Sequence, residues 1–265
     1  MPIEKKDIRA LSKDQLRDFF VSNGDKAFRG NQVYEWLWKK NAASFDEMTN
    51  LSKDLRELLQ THFYIDHIQL QDQQISKDKT IKCAFTIEEG KVVEGVLIPT
   101  TSRMTACISS QVGCSLSCTF CATGRLKLLR NLSAGEIVDQ VVYLKNQAEE
   151  RYGQNLTNIV YMGMGEPLLN YEPTIAALKL MLDDHAYGLS RRRVTVSTSG
   201  VVPMMDKLGL DCPVALAVSL HASNDKLRDM LVPLNKKHDL SELIAACKRY
   251  LAYAPRDFIT LEYCM

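Results

Sequence analysis

The sequence lacks several features that define whole classes of protein. It has no apolar run of about 18 residues, the length that a membrane-spanning helix needs. The N-terminal segment lacks the apolar core of a secretory signal, so we expect a cytoplasmic protein with no membrane partner. Basic and acidic residues nearly cancel, at 33 against 32, so any nucleic acid would have to be held by local basic patches.

The composition also excludes a disordered or fibrous chain. Hydrophobic residues make up 46% and charged residues 25%, close to the average of globular proteins. A length of 265 residues suits one large domain, or a large domain with a small one. The sequence therefore indicates a folded protein with a sizeable core.

Residues 1–66 carry the signals of a small helical domain. Ser12 and Gln15 form a capping box ahead of an apolar helical face. A second helix is predicted over Asn31–Lys40, and a third begins at Ser52. We expect this segment to fold as an accessory domain.

The pattern changes to β-strands after the helical segment. Residues 67–100 predict a β linker, in which Thr80–Ile87 and Val92–Ile98 form a hairpin. Residues 101–265 alternate strands with helices, which indicates an α/β fold of parallel strands, in an open sheet or a barrel. Strands are predicted at Thr105–Ser109, Asn158–Met162, Val194–Ser197, Val214–Ser219 and Phe258–Tyr263, and helices from Ser133 and near Pro173–Asp183, Asn224–Leu231 and Ser241–Tyr253.

The sequence stops at Met265, inside a segment that the pattern predicts as a strand. A buried parallel strand is normally covered by a following helix, and none follows here. Two interpretations remain: the last strand closes the sheet, or the chain is a fragment whose barrel is incomplete at its C-terminal end. The pattern favours the fragment.

The chain has eight cysteines, and three of them are clustered as Cys114-Ser-Leu-Ser-Cys118-Thr-Phe-Cys121. Clustered cysteines in a cytosolic protein favour metal binding or catalysis over disulfides. Three thiolates cannot fill a four-coordinate zinc site alone, but they can bind three irons of a four-iron cluster and leave one iron open. A zinc site with a distant fourth ligand, or chance clustering of buried thiols, remains as an alternative.

Two motifs resemble the radical S-adenosylmethionine (SAM) superfamily. One is the cysteine spacing, with the aromatic Phe120 just before the last cysteine. The other is Met162-Gly-Met-Gly-Glu166-Pro167 after a predicted strand, which resembles the superfamily's Gly-Glu-Pro motif and is otherwise an ordinary strand-to-helix turn. The resemblance implies that SAM binds the open iron and is cleaved to a 5′-deoxyadenosyl radical.

Further segments resemble one family, the RlmN adenine-C2 methyltransferases of ribosomal and transfer RNA. Together they reach from the helical segment to the last third of the chain. They are Phe28–Arg29, Tyr34–Lys40, Ser44–Leu51, Ser109–Cys114, Cys121–Gly124, Met162–Leu168, Val196–Pro203 and Val218–Ala222. The resemblance implies a partial (βα)6 radical SAM barrel with a small N-terminal helical domain.

The resemblance also assigns site residues. The ligands of a [4Fe-4S] cluster fall on Cys114, Cys118 and Cys121, and a catalytic proton acceptor falls on Glu94. SAM contacts fall on Gly165, Glu166, Ser197, Ser219, Leu220 and His221. Taken alone, Ser197 is a satisfied serine at a strand end, His221 a core or capping histidine, and Glu94 an outward-facing carboxylate.

In the family, a first SAM methylates a cysteine near the C-terminus, and a second yields the radical that activates it towards the 2-carbon of adenine. Cys107 matches the cysteine that resolves the protein–RNA link through a disulfide; taken alone it is a buried core thiol. The methyl-carrying cysteine matches no residue of this chain, and Cys264 falls on the fifth barrel strand instead. We therefore expect this chain to bind the cluster and SAM without completing methyl transfer.

The partners implied are 23S rRNA, tRNA and an electron donor such as flavodoxin, and the expected state is a monomer. RNA phosphates would meet local basic groups, although charge runs are usually just solvated surface. These groups are Arg125, Lys127 and Arg130, then Arg191–Arg193, then Lys236–His238.

Three alternative functions remain at this point. One is methylation of the 8-carbon of the same adenine, which confers antibiotic resistance; Pro167 and the Gly95–Pro99 run favour the 2-carbon. Another is a radical SAM enzyme acting on a peptide or a small molecule. The last is a non-catalytic metal-binding domain.

Overall fold

The computed structural model describes residues 5–265, which form two compact units. The first unit contains the described residues up to His67 together with Leu180–Gly188, and the second contains Ile68–Lys179 and Leu189–Met265. Residues 1–4 of the predicted accessory domain lie outside the described residues. Among residues 5–265, no helix is both long and apolar enough to cross a membrane.

The first unit is helical. Its helices are α1 (Lys13–Ser22), α2 (Phe28–Trp38) and α3 (Lys53–His62), and its short strands β1 (Lys6–Asp7) and β2 (Phe63–Tyr64) pair in parallel. The capping box of Ser12 and Gln15 is present, and Ser52 caps α3, as the sequence predicts. The second helix begins at Phe28 rather than at Asn31, because Arg29 and Gly30 already bond back to the turn before them.

The second unit is built on one eight-stranded sheet. In chain order its strands and the small β7–β8 pair are β3 (Gln69–Ile75), β4 (Ile81–Thr86), β5 (Val92–Pro99), β6 (Met104–Cys107), β7 (Gln111–Val112), β8 (Arg130–Asn131), β9 (Asn158–Tyr161), β10 (Val194–Thr198), β11 (Ala215–Ser219) and β12 (Thr260–Glu262). The order in the sheet is β12-β11-β10-β9-β6-β5-β4-β3. Strands β6 and β9–β12 run parallel, and β3–β5 continue the sheet in antiparallel pairing. The hairpin of the predicted linker is therefore part of this sheet.

Five helices connect the strands of this unit. They are α4 (Ala134–Tyr152), α5 (Tyr171–Leu182), α6 (Val202–Asp211), α7 (Asp225–Leu231) and α8 (Leu240–Leu251). Ser133 and Glu136 form the predicted capping box of α4. Together with the parallel strands, these helices confirm the predicted α/β fold with an N-terminal helical unit.

The strand register brings chemically active side chains to one face of the sheet. Paired residues share a face, and so do residues two apart on one strand. Cys107 pairs with Val160, and the pairings continue across the sheet to Ser197, Ser219 and Glu262. These residues lie at the C-terminal ends of their parallel strands, the edge where such sheets bind ligands.

Candidate functional site

A cavity of about 300 Å³ opens at the C-terminal ends of the parallel strands. Seven of the predicted site residues line it, namely Cys114, Cys118, Cys121, Gly165, Glu166, Ser197 and Ser219. Four others, Glu94, Cys107, Leu220 and His221, are outside its lining. The cavity thus joins the cysteine loop, the Gly-Glu-Pro turn and two strand ends, which are far apart in the sequence.

The cysteine loop is held in shape by glycines. Gly113 has φ +76°, and a Cβ built on it would lie 2.1 Å from the carbonyl oxygen of Lys127. A Cβ on Gly124 would lie 2.6 Å from the carbonyl oxygen of Cys118. Neither position accommodates a side chain without moving backbone, so the loop's path requires glycine there.

The end of α7 fastens the loop from outside. The backbone N–H of Thr119 donates to the carbonyl of Leu231 at 3.0 Å, and its hydroxyl donates to the carbonyl of Met230 at 3.2 Å. Thr119 stands between two of the predicted cluster ligands. The loop is therefore positioned by a helix more than a hundred residues away in the sequence.

The thiols of the loop are unpaired, with no disulfide among them. Burial raises the pKa of Cys114, and it raises the pKa of Cys118 to about 11, with a hydrogen bond from Ser199 lowering the pKa of Cys118 in part. Both thiols are therefore protonated at neutral pH, and metal binding has to release their protons.

The donor set suits a cluster better than a single ion. Among residues 5–265, no three His, Cys, Asp or Glu side chains converge closely enough to hold one metal ion. Yet Cys114, Cys118 and Cys121 all face the same cavity. Thiols spread around a cavity are what a four-iron cluster needs, since each thiolate binds a different iron. The residues present thus fit an iron–sulfur cluster.

The Gly-Glu-Pro turn is tied to its neighbours through Glu166. Its carboxylate accepts hydrogen bonds from the backbone N–H groups of Ser199, at 2.8 Å, and Leu168, at 3.2 Å. Its own N–H donates to Oε1 of Gln111 at 2.8 Å. Burial raises the pKa of Glu166, and the bonds from Ser199 and Leu168 lower it. Glu166 therefore fixes the turn against the end of β10.

Glu262 is a site residue that the sequence reasoning missed. Its Oε1 accepts a hydrogen bond from the hydroxyl of Ser197 at 3.2 Å, and its Oε2 accepts one from Ser219 at 2.9 Å. Glu262 also lines the cavity. The signal that could have found it is its place at the end of a predicted parallel strand, at the same edge as the two serines.

The two remaining predicted SAM contacts lie just behind the cavity. The backbone N–H groups of Leu220 and His221 both donate to the carbonyl of Glu262 at 3.0 Å. His221 has φ +59° and is buried, with its ring centroid 4.1 Å from that of Phe120. Within the described residues, neither ring nitrogen has a hydrogen-bond partner. Unsatisfied buried nitrogens are costly in a protein alone, so they suit contact with a polar ligand.

The titration of His221 carries a testable pH dependence. Burial lowers the pKa of His221, Glu262 opposes this and Arg228 adds to it. The unfolded chain then binds more protons than the folded one just below the ordinary pKa of 6.5. The contribution of neutral His221 to the free energy of unfolding is therefore greatest above pH 6.5. It is lost as the pH falls through the lowered pKa.

We expect His221→Asn to reduce this pH sensitivity, since asparagine accepts the left-handed backbone but does not titrate. The free energy of unfolding is measured by urea titration at pH 7.5 and at pH 5.5, about 2 pH units apart, on either side of the ordinary histidine pKa. The exposed His185→Asn is the control. Equal losses of stability on acidification in wild type and His221→Asn would contradict this expectation.

Glu94 and Cys107 share one face of the sheet beside the cavity. The carboxylate of Glu94 lies 2.7 Å from Nζ of Lys82, and both side chains are half-exposed. Burial raises the pKa of Cys107 to about 11, a backbone bond from Met162 lowers it and Glu262 raises it. Glu94 is accessible from outside, whereas Cys107 is a protonated, mostly buried thiol.

Of the basic residues predicted to meet RNA, one is neutralised by a neighbouring carboxylate and most of the others are exposed. Arg130, one of the predicted contacts, is hydrogen-bonded to the carboxylate of Glu136 at 2.9 Å, so its charge is neutralised inside the unit. Arg193 donates to the carbonyl of Thr157. Arg125 and Lys127 remain exposed beside the cysteine loop.

Comparisons with known proteins agree with this geometry. The family model for the ribosomal RNA large subunit methyltransferase N-terminal domain matches residues 6–65, and that for the radical SAM superfamily matches residues 108–263. A curated protein of Flavobacterium psychrophilum, named a probable dual-specificity RNA methyltransferase RlmN, is 53% identical over 264 residues, covering 99% of this chain and 76% of that protein. The crystal structure of a radical SAM methyltransferase from Sphaerobacter thermophilus is 42% identical with a TM-score of 0.88, covering 97% of this chain and 76% of the other.

Proposed function

Because the chain belongs to the RlmN family of radical SAM RNA methyltransferases, we propose that its site serves methylation of the 2-carbon of a specific adenosine in 23S rRNA, and also in tRNA. Since no cysteine among residues 1–265 matches the methyl carrier, these residues alone are expected to bind the cluster and SAM without completing the transfer. It is a SAM-dependent methyltransferase whose cofactors are a [4Fe-4S] cluster and SAM. The observation that carries the proposal is that one cavity gathers the three loop cysteines, the Gly-Glu-Pro turn and the strand-end serines.

Each side of the cavity has its own task in this proposal. Cys114, Cys118 and Cys121 hold the cluster, which when bound supplies the electron that cleaves SAM to a 5′-deoxyadenosyl radical. Gly165 and Glu166 present backbone groups to the methionine amino group. The opposite side, formed by Ser197, Ser219 and Glu262, is rich in oxygen atoms and suits the ribose, and Leu220 and His221 support it from behind.

Two residues beside the cavity are assigned to later steps. Glu94 is the proton acceptor, since its carboxylate is half-exposed on the face that carries the reacting groups. Cys107 is the thiol that would resolve the protein–RNA link through a disulfide to the methyl-carrying cysteine, for which residues 1–265 contain no match. Its thiol first has to lose a proton, which its burial disfavours until the site is engaged.

The domains divide the work in the same proposal. Residues 1–66 bind RNA as an accessory domain, 67–100 form the β segment that continues the sheet of the core, and 101–265 form the radical SAM core. Arg125 and Lys127 contact phosphates beside the cluster. The protein acts in the cytoplasm as a monomer, away from membranes, and receives electrons from a donor such as flavodoxin.

The test is an anaerobic assay of the chain after reconstitution with iron and sulfide. SAM, dithionite and 23S rRNA or tRNA are added, and 5′-deoxyadenosine and methylated adenosine are measured by mass spectrometry. RNA-stimulated SAM cleavage supports the proposal, and a methyl group on the 2-carbon would contradict the expectation that no cysteine among these residues carries the methyl. A methyl group on the 8-carbon would overturn the choice of carbon, and an iron-loaded chain that leaves SAM intact would overturn the reaction.

The ribose assignment predicts the effect of Glu262→Gln. The amide keeps the size of the side chain but removes the charge and one of the two acceptor oxygens that meet Ser197 and Ser219. Losing a charge-assisted acceptor costs about 1.5 kcal/mol, so SAM affinity of the cluster-loaded chain is expected to fall about tenfold. Equilibrium dialysis measures the affinity, with the exposed Glu172→Gln as control. Unchanged affinity in Glu262→Gln would remove Glu262 from the SAM site.

A further inference from the structure

Arg228 is an unusual buried cation. It lies on α7, and only 1% of its surface is exposed. Its guanidinium donates to the carbonyls of Leu220 at 3.1 Å, Ser199 at 2.8 Å and Ser219 at 3.0 Å, and to Oδ1 of Asn235 at 2.9 Å. All of these acceptors are neutral oxygen atoms.

Arg228 and its helix contact both the strand ends and the cysteine loop that line the cavity. Its carbonyl partners follow β10 and β11, so one side chain fastens both strand ends that form the proposed ribose side. Its helix ends in Met230 and Leu231, which hold the cysteine loop through Thr119. Ser199, bonded to Arg228 through its carbonyl, also bonds to the thiol of Cys118 through its side chain.

The charge of Arg228 is poorly compensated by the protein alone. Among residues 5–265, no carboxylate lies within ion-pair distance of it; Asp225 and Asp229 reach it only through Asn235, which bonds to both. Burial lowers the pKa of Arg228, and Cys118 raises it ahead of Asp225, Cys247 and Asp229. The guanidinium stays protonated at any ordinary pH. A buried charge without an ion-pair partner is costly, and Cys118 on the cysteine loop is the group whose negative charge would act on Arg228 most strongly.

We propose that Arg228 is the counter-charge of the iron–sulfur cluster and a positioning residue for its surroundings. A cluster bound by three thiolates is an anion, and one-electron reduction adds a further negative charge. The electron comes from an external reductant; Arg228 keeps its proton, and no bond to it forms or breaks. A fixed positive charge beside Cys118 stabilises the reduced form more than the oxidised one, because attraction grows with the negative charge.

This inference rests on the proposed cluster ligands, so the test begins with wild type. The reconstituted chain is titrated with reductant, and the reduced cluster is followed by electron paramagnetic resonance. Arg228→Met removes the charge, and Arg228→Lys retains it. Arg249→Met, which removes an exposed arginine paired with Asp206, is the matched control. Iron and sulfide content are measured for every variant.

At the potential where the wild-type cluster is half reduced, we expect the ratio of reduced to oxidised cluster in Arg228→Met to fall about tenfold, which is about 59 mV for one electron. Arg228→Lys and Arg249→Met are expected to stay close to wild type. Arg228→Met that folds but loads no iron, beside a normally loaded Arg228→Lys, also supports the inference.

Three outcomes would overturn it. One is a cluster reduction potential equal to that of wild type in Arg228→Met that carries its full content of iron and sulfide. Another is an equal shift of the reduction potential in Arg228→Met and Arg228→Lys. That result would show that the shape of the guanidinium matters and that its charge does not. The last is failure of Arg228→Met to fold before iron is added, which would assign it a purely structural role. A wild-type chain that loads no iron would instead contradict the proposed function.

Discussion

Cys118→Ala is expected to reduce iron content from about four atoms per reconstituted chain to almost none, and SAM cleavage to background. Removing one of the three thiols that face the cavity leaves two ligands for a cluster that needs three. Iron and sulfide analysis with the absorption spectrum measures the first effect, and release of 5′-deoxyadenosine measures the second. Cys83→Ala, which removes a buried thiol from β4, is the control that keeps its iron.

The pH dependence of loading checks the same assignment. Because burial raises the pKa of Cys118 to about 11, each thiolate formed on iron binding releases a proton, and loading is expected to be more complete at pH 8.5 than at pH 7 (about 1.5 pH units apart). Full iron content in Cys118→Ala would show that the cluster uses other ligands.

Gly165→Ala is expected to destabilise the fold and to lower SAM affinity by about tenfold or more. Gly165 has φ +94°, which residues with a side chain rarely adopt. The added Cβ would also lie 2.5 Å from Cβ of Gln111, whose Oε1 positions the N–H of Glu166. Backbone strain and overpacking together are expected to cost about 2–5 kcal/mol in the free energy of unfolding, measured by urea titration.

Gly153→Ala is a control that introduces left-handed backbone strain without a steric clash. Gly153 caps α4 with φ +60°, and nothing lies within 4 Å of a Cβ built there. Its substitution is expected to cost only the left-handed strain of about 1 kcal/mol and to leave SAM affinity unchanged. Equal losses in the two variants would mean that the packing of Gly165 on Gln111 contributes nothing.

The parts of the site that could be predicted are those encoded by short, local sequence motifs. The cysteine spacing and the Gly-Glu-Pro turn are short motifs, and the cavity contains both. Glu262 and Arg228 carry no such motif. Glu262 gains its role from pairing of β12 beside β11, and Arg228 from carbonyl groups supplied by two separate loops. Such roles depend on tertiary placement, which one sequence does not display.

The secondary-structure elements differ in the same way: those with a local signal were predicted, and those that depend on tertiary contacts were not. Capping boxes at Ser12 and Ser133 marked their helices correctly, because the signal lies within four residues. Strand β3 was missed because it is almost entirely polar and exposed, although pairing with β4 is enough to hold it. Helix α6 was missed because Val201 provides no side-chain cap and the segment has a valine pair at its start. Tertiary context decided both elements.

The dependence of the cysteine loop on α7, and of the two serines on Glu262, has a consequence for biosynthesis. A ribosome makes the three cysteines well before it makes Met230, Leu231 and Glu262, and domains are completed only as their last contacts emerge. The nascent loop therefore has its thiols long before it has the supports that give it a fixed shape. We therefore expect the cofactor to be inserted only after the whole sheet has been translated, once these contacts have formed.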